Sequence, residues 1–483
     1  MATEKKPPQE IKDYEDIKVE LDSIPEMKYI IEKKPEGDKV SRFLEIFAAI
    51  IKHSNYRPIL EHYTKVSAKC SRCSTQCHVY QATGDPHDIP CYRSELLLSI
   101  YRRYFSLEGS IHARMFGGFE LTERHIDEMA ESFWRCTACR KCVLECPMGI
   151  DHGLITHLAR YILAEMDIAP RALLISTREQ LEGETRNTSA IPWVGLADSI
   201  EFLEEEIYEE HGVKVKFPVD VEGAEYVFFS PVSDWLMEAE TLMGIACVLH
   251  AAGVSWTMSS KFNDAINYGL FYSDLVLGKN LRCIEDEVRR LKGKKVLIGE
   301  CGHASRSATF LPTYWRGDDC PPVINIMELT DRLIKEGKVK LNPDVIKEKV
   351  AYHDPCNIAR QNWVVEQPRN IIKSFIKNYV ELTPNREDQY CCGGGGGTVS
   401  IDEIRNFRTS IGGRRKAAQV FESGAEILIA PCANCKKQIR ETFEDNKVPA
   451  ELVGLHDLIF KAIEFPEEMK EPEEVEEETD KNE

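Results

Sequence analysis

The chain has 483 residues, 61 of them Lys or Arg and 80 Asp or Glu, for a net charge of −19. Such a length exceeds a single hydrophobic core, at roughly 100–200 residues per domain, and such a charge speaks against a nucleic-acid partner, which would ask for a basic face. No apolar run approaches the ~18 residues of a membrane span, and the first residues lack the apolar core of a signal peptide; a cytoplasmic protein without a transmembrane segment of its own is expected.

Residues 1–64 read as an arm and a helix. The first forty are charged and punctuated by Pro7, Pro8, Pro25 and Pro35. Apolar residues then return at helical spacing, with Phe43, Ile46, Phe47, Ile50 and Ile51 on one face. Residues 65–170 predict a helical domain. Leu96, Leu97, Ile100 and Tyr101, then Ile126, Met129 and Phe133, keep the helical period between two groups of cysteines, and a further helix is expected from His152 to Met166. Residues 171–222 are an acidic connector with a helix near Ser199–Glu210.

From Glu225 onward, short β-rich runs alternate with helical stretches: Tyr226–Phe229, Val296–Ile298, Val350–Tyr352 and Ile427–Ile429. That alternation predicts α/β layers. There is also an internal repeat. The run from Glu225 to Pro231 resembles that from Lys349 to Pro355, and the run from Lys295 to Cys301 resembles that from Glu426 to Cys432. Two homologous α/β lobes are expected, 223–335 and 349–463, packed as a pseudo-dimer. Residues 464–483 hold eleven acids and two lysines, too polar to order themselves. The fold class is therefore multidomain, α followed by α/β.

Seventeen cysteines in a chain without an export signal, and grouped, read as metal ligands rather than disulfides. Cys136-x2-Cys139-x2-Cys142-x3-Cys146-Pro147 is the bacterial ferredoxin run, in which three thiolates hold one [4Fe–4S] cubane and the fourth goes to another cluster. The second group, Cys70-x2-Cys73-x3-Cys77, counts back to Ser67 where a cysteine should stand, and Cys91 is the replacement. One cubane is thus expected on Cys70, Cys73, Cys91 and Cys146, and the other on Cys77, Cys136, Cys139 and Cys142. The rival assignment keeps Cys77 on the first and sends Cys91 to the second. His78 follows a cysteine, but haem attachment needs Cys-x-x-Cys-His and residue 74 is Ser; His78 and Trp134 read as packing residues.

The third group is Cys356, the pair Cys391–Cys392, and Cys432-x2-Cys435. Adjacent cysteines cannot both hold one ordinary cube in a relaxed geometry, so a larger, open iron–sulfur group is expected. Glycines 393–397 follow, and the N–H groups of Gly393 and Gly394 can approach sulfide closely. No Gly-Lys-Ser/Thr follows, which sets aside a phosphate loop. Zinc on four of these cysteines is the alternative.

This third group resembles the cysteine-rich CCG motif of heterodisulfide reductases. From about residue 65 to 463 the layout resembles the D-type subunit of that family. The resemblance implies that the five cysteines carry a noncubane [4Fe–4S] cluster that reductively opens a disulfide. One departure narrows it. The first lobe has Val232, Ser259, Ser260 and Ala304 at or near the motif positions, and of its cysteines only Cys301 remains. This is similar to the branch associated with dissimilatory sulfite reduction. That branch implies a membrane cytochrome b-type subunit fed by quinol, other subunits of a Dsr-like complex, and peripheral attachment to the cytoplasmic membrane face. The implied substrate is a disulfide or trisulfide on a small DsrC-like sulfur carrier with C-terminal cysteines. Cys301, His303 and His353 are then the catalytic residues, and Arg360 an anchor for an acidic peptide or a proton source. Two other readings stand beside it: an electron conduit for a flavin dehydrogenase of 2-hydroxy acids, and a non-catalytic zinc scaffold.

Overall fold

The computed structural model describes residues 37–52 and 55–470. Most of the expected N-terminal arm and most of the acidic tail lie outside the described residues. The molecule is helix-rich, with two small parallel sheets and a helical domain that holds the first two cysteine groups.

Helices Lys39–Lys52, Tyr56–Val66, Pro90–Phe105, Glu123–Arg135 and His152–Glu165 build the first domain. Their apolar stripes meet in one core, where Phe43, Phe47, Leu97, Tyr101, Phe133 and Ile162 are buried. Capping fixes the helix starts. Thr122 accepts from the His125 N–H while the His125 side chain reaches back to the Thr122 N–H. Asp151 accepts from the Leu154 N–H at 3.0 Å.

Strands β1 (Tyr226–Phe229), β2 (Trp256–Met258), β3 (Lys295–Ile298) and β4 (Val323–Asn325) form one parallel sheet in the order β2-β1-β3-β4. A short β5 (Lys340–Leu341) follows. Strands β6 (Val350–Tyr352), β7 (Tyr379–Val380), β8 (Ile427–Ile429) and β9 (Glu451–Val453) form the second sheet, in the order β7-β6-β8-β9. In both, the second strand lies outside the first, and the third and fourth extend the other side. Parallel strands covered on both faces read as unbroken apolar runs, hence Tyr-Val-Phe-Phe and Ile-Leu-Ile. The edge strands β2, β4, β7 and β9 carry polar or mixed residues, and sequence periodicity did not reveal them.

Two expectations need amendment. The stretch 171–222 is more than a connector: it holds helices Arg171–Glu182 and Trp193–His211, and Leu196, Leu203 and Ile207 of the latter join the core of the sheets. The tail starts later than expected. Ile463–Glu464 forms β10, antiparallel to β5, and Phe465 is buried with its ring against His211 and His250. One aromatic inside an acidic run suffices to dock its first residues.

The helical domain meets the second sheet along the glycine run. A Cβ on Gly395 would lie 2.3 Å from the Thr137 carbonyl oxygen, and one on Gly396, at φ +66°, 2.5 Å from the Cys136 oxygen. The glycines thus serve close backbone packing between domains as well as the cysteines beside them. Gly395→Ala is expected to cost about 2–3 kcal/mol, because backbone must move. Gly84→Ala meets nothing within 4 Å and carries only its φ of +67°, so about 1 kcal/mol is expected. Thermal unfolding and protease sensitivity between the domains check the pair.

Candidate metal centres

Two loops of the helical domain share a backbone signature. Lys69 and Ser71 flank Cys70 at φ 51° and 56°, and Ala138 and Arg140 flank Cys139 at φ 52° and 59°. Left-handed backbone at residues other than glycine is costly, and its recurrence around a thiol marks a shape held for a purpose. The same register aligns Ser67 with Cys136 and Cys77 with Cys146.

The cysteines then gather into two sets. Cys70, Cys73, Cys91 and Cys146 line one small cavity, with Ser67 on its wall. Cys77, Cys136, Cys139 and Cys142 line a second. Cys91 therefore sits with Cys70 and Cys73, and Cys77 with the ferredoxin run. In the first set Cys73 hydrogen-bonds Cys91, holding Cys91 down at about 6 and pushing Cys73 up. In the second, burial pushes Cys77 up to about 12 and Cys142 well above the usual thiol range. Four thiols gathered around each small cavity fit a site where a cation takes up their charge. The backbone N–H of Ala138 points at Cys136 Sγ and that of Ile150 at Cys146 Sγ, both at 3.4 Å.

His152 lines both cavities and was missed in the sequence, where it reads only as the start of a helix. Its Nδ1 lies 2.7 Å from Ser94 Oγ, and burial lowers its pKa to about 4, so a neutral imidazole separates the two sets.

The third set stands at the C-terminal ends of the second sheet's inner strands, where parallel sheets present their ligands. Cys356 follows β6 after Asp354 and Pro355, and Cys432 follows β8 and precedes helix Ala433–Asn446, whose first turn carries Cys435. Arg369 holds Asp354 with two buried bonds of 2.8 and 2.9 Å. Sulfur contacts run from Cys356 to Cys391, Cys392, Cys435 and Cys432 in turn. All five thiols are buried. The Gly393 N–H lies 3.4 Å from Cys391 Sγ and the Gly394 N–H 3.5 Å from Cys392 Sγ. Five convergent thiols with N–H donors to two of them match the donor chemistry of an iron–sulfur group.

The second and third sets touch. The ligand atoms of Cys139, Cys391 and His78 all lie within 4.8 Å of one another. Thr137 Oγ1 is 3.5 Å from both Cys391 Sγ and His78 Nε2. His78, read in the sequence as a packing residue, is thus at the junction, while Trp134 does pack, beneath the Arg160 guanidinium at 4.6 Å.

Of the expected catalytic residues, Cys301 follows β3, is fully buried and hydrogen-bonds Cys432. His303 lies just beyond it, in the first turn of the next helix. Its Nε2 faces the Asn267 main chain, 3.0 Å from the N–H and 2.9 Å from the carbonyl, and burial lowers its pKa to about 4. His353 has neither ring nitrogen hydrogen-bonded among the described residues, and its ligand atom lies within 4.8 Å of those of Cys392 and Cys435. It stands as a further donor beside the thiols. Arg360 is not an open anchor: its three nitrogens reach the carbonyls of Glu387, Cys139 and Gln389. Lys416, unmarked by any motif, is fully buried, and desolvation lowers its pKa to about 8 against the pull of Asp354 and of Cys392, Cys391 and Cys435.

Residues 68–150 match the 4Fe-4S dicluster domain family and residues 350–440 the CCG cysteine-rich domain family. The chain is 27% identical to the "Hdr-like menaquinol oxidoreductase iron-sulfur subunit" of Archaeoglobus profundus, over 83% of this chain and 79% of that one. It is 24% identical to the D-type subunit of the dihydromethanophenazine:CoB--CoM heterodisulfide reductase of Methanosarcina acetivorans, over 82% of this chain and 93% of that one. It is also 24% identical to the "EtfAB:quinone oxidoreductase" of Syntrophomonas wolfei, over 69% of this chain and 47% of that one. A dicluster domain joined to a CCG domain defines an iron–sulfur oxidoreductase subunit. More narrowly, the chain resembles the D-type subunits of heterodisulfide reductases along most of its length.

Lys416→Met keeps the bulk and deletes the charge beside three thiols. The iron–sulfur group held there should become harder to reduce, by tens of millivolts, with iron content unchanged. A redox titration followed by electron paramagnetic resonance checks it.

Proposed function

We propose that the chain is the electron-transfer and catalytic subunit of a membrane-bound, heterodisulfide-reductase-like complex, most like the DsrK subunit of sulfite-reducing systems. Electrons come from quinol through a cytochrome b-type subunit, and the substrate is a disulfide or trisulfide on a small DsrC-like carrier with C-terminal cysteines. No helix among the described residues is long and apolar enough to cross a membrane, so attachment to the cytoplasmic face falls to the partner subunits. The observation that carries this reading is the contact of Cys139 with Cys391, which leaves no insulating layer between the helical domain and the five-cysteine set.

One cubane cluster is assigned to Cys70, Cys73, Cys91 and Cys146, a second to Cys77, Cys136, Cys139 and Cys142. A noncubane cluster is assigned to Cys356, Cys391, Cys392, Cys432 and Cys435. Such clusters supply one-electron transfer when bound. The protein's own part is to hold the sets in line, exclude water and offset negative charge. Buried Arg93 faces Cys77, Cys136 and Cys142, and buried Lys416 faces the five-cysteine set. Gly393 and Gly394 hold their N–H groups toward thiolate sulfur. Cys301 is the thiol that meets the substrate: it attacks the substrate S–S bond, forms a mixed disulfide and releases one substrate thiol.

About 12 Fe per chain are expected, at four per cluster, without stoichiometric zinc. Cys91→Ala should lose or convert one cubane while Ser67→Ala changes nothing; a Cys91 variant with the full cubane signal sinks the ligand assignment. Cys301→Ala should keep all iron and lose most turnover of a carrier disulfide. Loss of noncubane iron would instead make Cys301 a ligand, and unchanged turnover would leave it a packing residue.

A further inference from the structure

Helix Leu107–Phe116 of the helical domain turns its apolar side outward. None of its residues is buried, and Leu107, Ile111, Met115 and Phe116 are 80, 49, 67 and 73% exposed. The first three stand four apart, one above the other on a single face. Small residues take the inward side. A Cβ on Gly109 would lie 2.1 Å from the Arg102 carbonyl oxygen, and one on Gly118 2.8 Å from Ala113 Cβ. Ser110 Oγ donates to the Arg103 carbonyl at 3.1 Å, and Ser106 Oγ caps the helix by accepting from the Gly109 N–H at 3.0 Å. Small and polar groups thus clamp this helix against helix Pro90–Phe105. The clamp leaves the apolar row in water, at a cost that a covering surface removes.

Beside the row lies a cavity of about 620 Å³. Arg57, Lys65, Arg102 and Arg103 line it, against Glu61 and Glu108. Arg57 meets Glu61 at 3.5 Å, and Glu95 holds Arg102 from outside the cavity. Arg103 lies against the Tyr104 ring at 5.1 Å, with no hydrogen-bond partner for its Nε. Neither it, nor Lys65, nor Arg114 on the helix itself has a carboxylate partner among the described residues. Cations in excess gather here on a chain of net charge −19. An exposed apolar row flanked by basic groups suits the boundary of a bilayer, where the row enters the acyl region and the cations meet phosphate. Lys65 also stands two residues before Ser67, on the wall of the first cysteine cavity, and Cys70 of that set is exposed.

We propose that this face rests on a lipid surface rich in anionic headgroups. Leu107, Ile111, Met115 and Phe116 enter the acyl boundary, and the basic cavity takes a headgroup phosphate. The inference rests on the membrane-bound reading above and adds a direct lipid contact to attachment through partner subunits.

The test floats the iron-loaded full chain with vesicles of phosphatidylcholine alone, or of phosphatidylcholine and phosphatidylglycerol in equal parts. The chain should bind the anionic vesicles far better, and salt should weaken that binding. Met115→Gln with Phe116→Gln should lose at least about tenfold in affinity, and Lys65→Gln with Arg103→Gln about fivefold per charge, with iron content and Tm unchanged. Leu236→Gln with Met237→Gln, at an exposed apolar pair on the first lobe, should leave binding as it was. The proposal is overturned if the wild type ignores anionic vesicles, if the Met115/Phe116 variant binds them normally, or if the Leu236/Met237 variant loses as much. A wild type that dimerises without lipid, and is made monomeric by the Met115/Phe116 changes, would hand the face to a second copy and overturn it too. A native complex that stays in membranes while this chain ignores vesicles keeps the membrane-bound reading and discards the lipid face. Vesicle binding by a chain that co-purifies with no membrane subunit does the reverse.

Discussion

Everything else in the structure depends on one seam, where the glycine run lies against the carbonyls of Cys136 and Thr137. Arg160 pins it. Its guanidinium takes the carbonyls of Phe133 and Cys136 from the end of one helix and that of Gly396 from the other side, at 2.5–3.0 Å. Arg360 adds the carbonyls of Cys139 and Gln389, and Lys141 that of Asp388. Buried carbonyls need partners, and cations that satisfy several at once make strong, directional clasps. The consequence is chemical. With the seam closed, Cys139 and Cys391 are neighbours although 252 positions separate them in sequence.

The second theme is buried charge. A molecule of net charge −19 keeps Arg93, Arg160, Arg369, Arg408 and Lys416 almost wholly inside. Burying a cation is expensive unless something negative or strongly dipolar meets it. Arg369 has Asp354 and Glu381, and Arg408 has Gln438 and Glu441. Arg160 has carbonyls and the face of Trp134, and Lys416 has Gln419, the charge of Asp354 and three of the thiols. Those two are stabilised by the same groups that thiolate and sulfide charge would reinforce, so metal loading and folding of this region should be mutually supportive.

Much of the molecule was legible in the chain because its signals are short-range. Four inner strands read out as apolar runs, since a parallel strand covered on both faces shows no alternation. The ferredoxin spacing is visible because one loop must wrap one cube. The docking of Phe465 and the partnering of helix Trp193–His211 were not legible, since each depends on a surface contributed by distant residues. The edge strands escaped because two or three residues of mixed character carry no readable period.

The sequence by itself determined the cysteine groups, the helical-then-α/β order and the repeated strand-to-cysteine pattern that pairs Cys301 with Cys432. These follow from local spacing, which sets what a few residues of backbone can reach. Tertiary structure decided which thiols share a cavity, placing Cys91 with Cys70, Cys73 and Cys146. It also put His78 at a junction and His152 between two sets, spent Arg360 on carbonyls, and brought Lys416 beside three of the five thiols. None of these has a spacing rule. Each is fixed by packing between elements far apart in the chain, where a polar side chain gains its meaning from the groups that close over it.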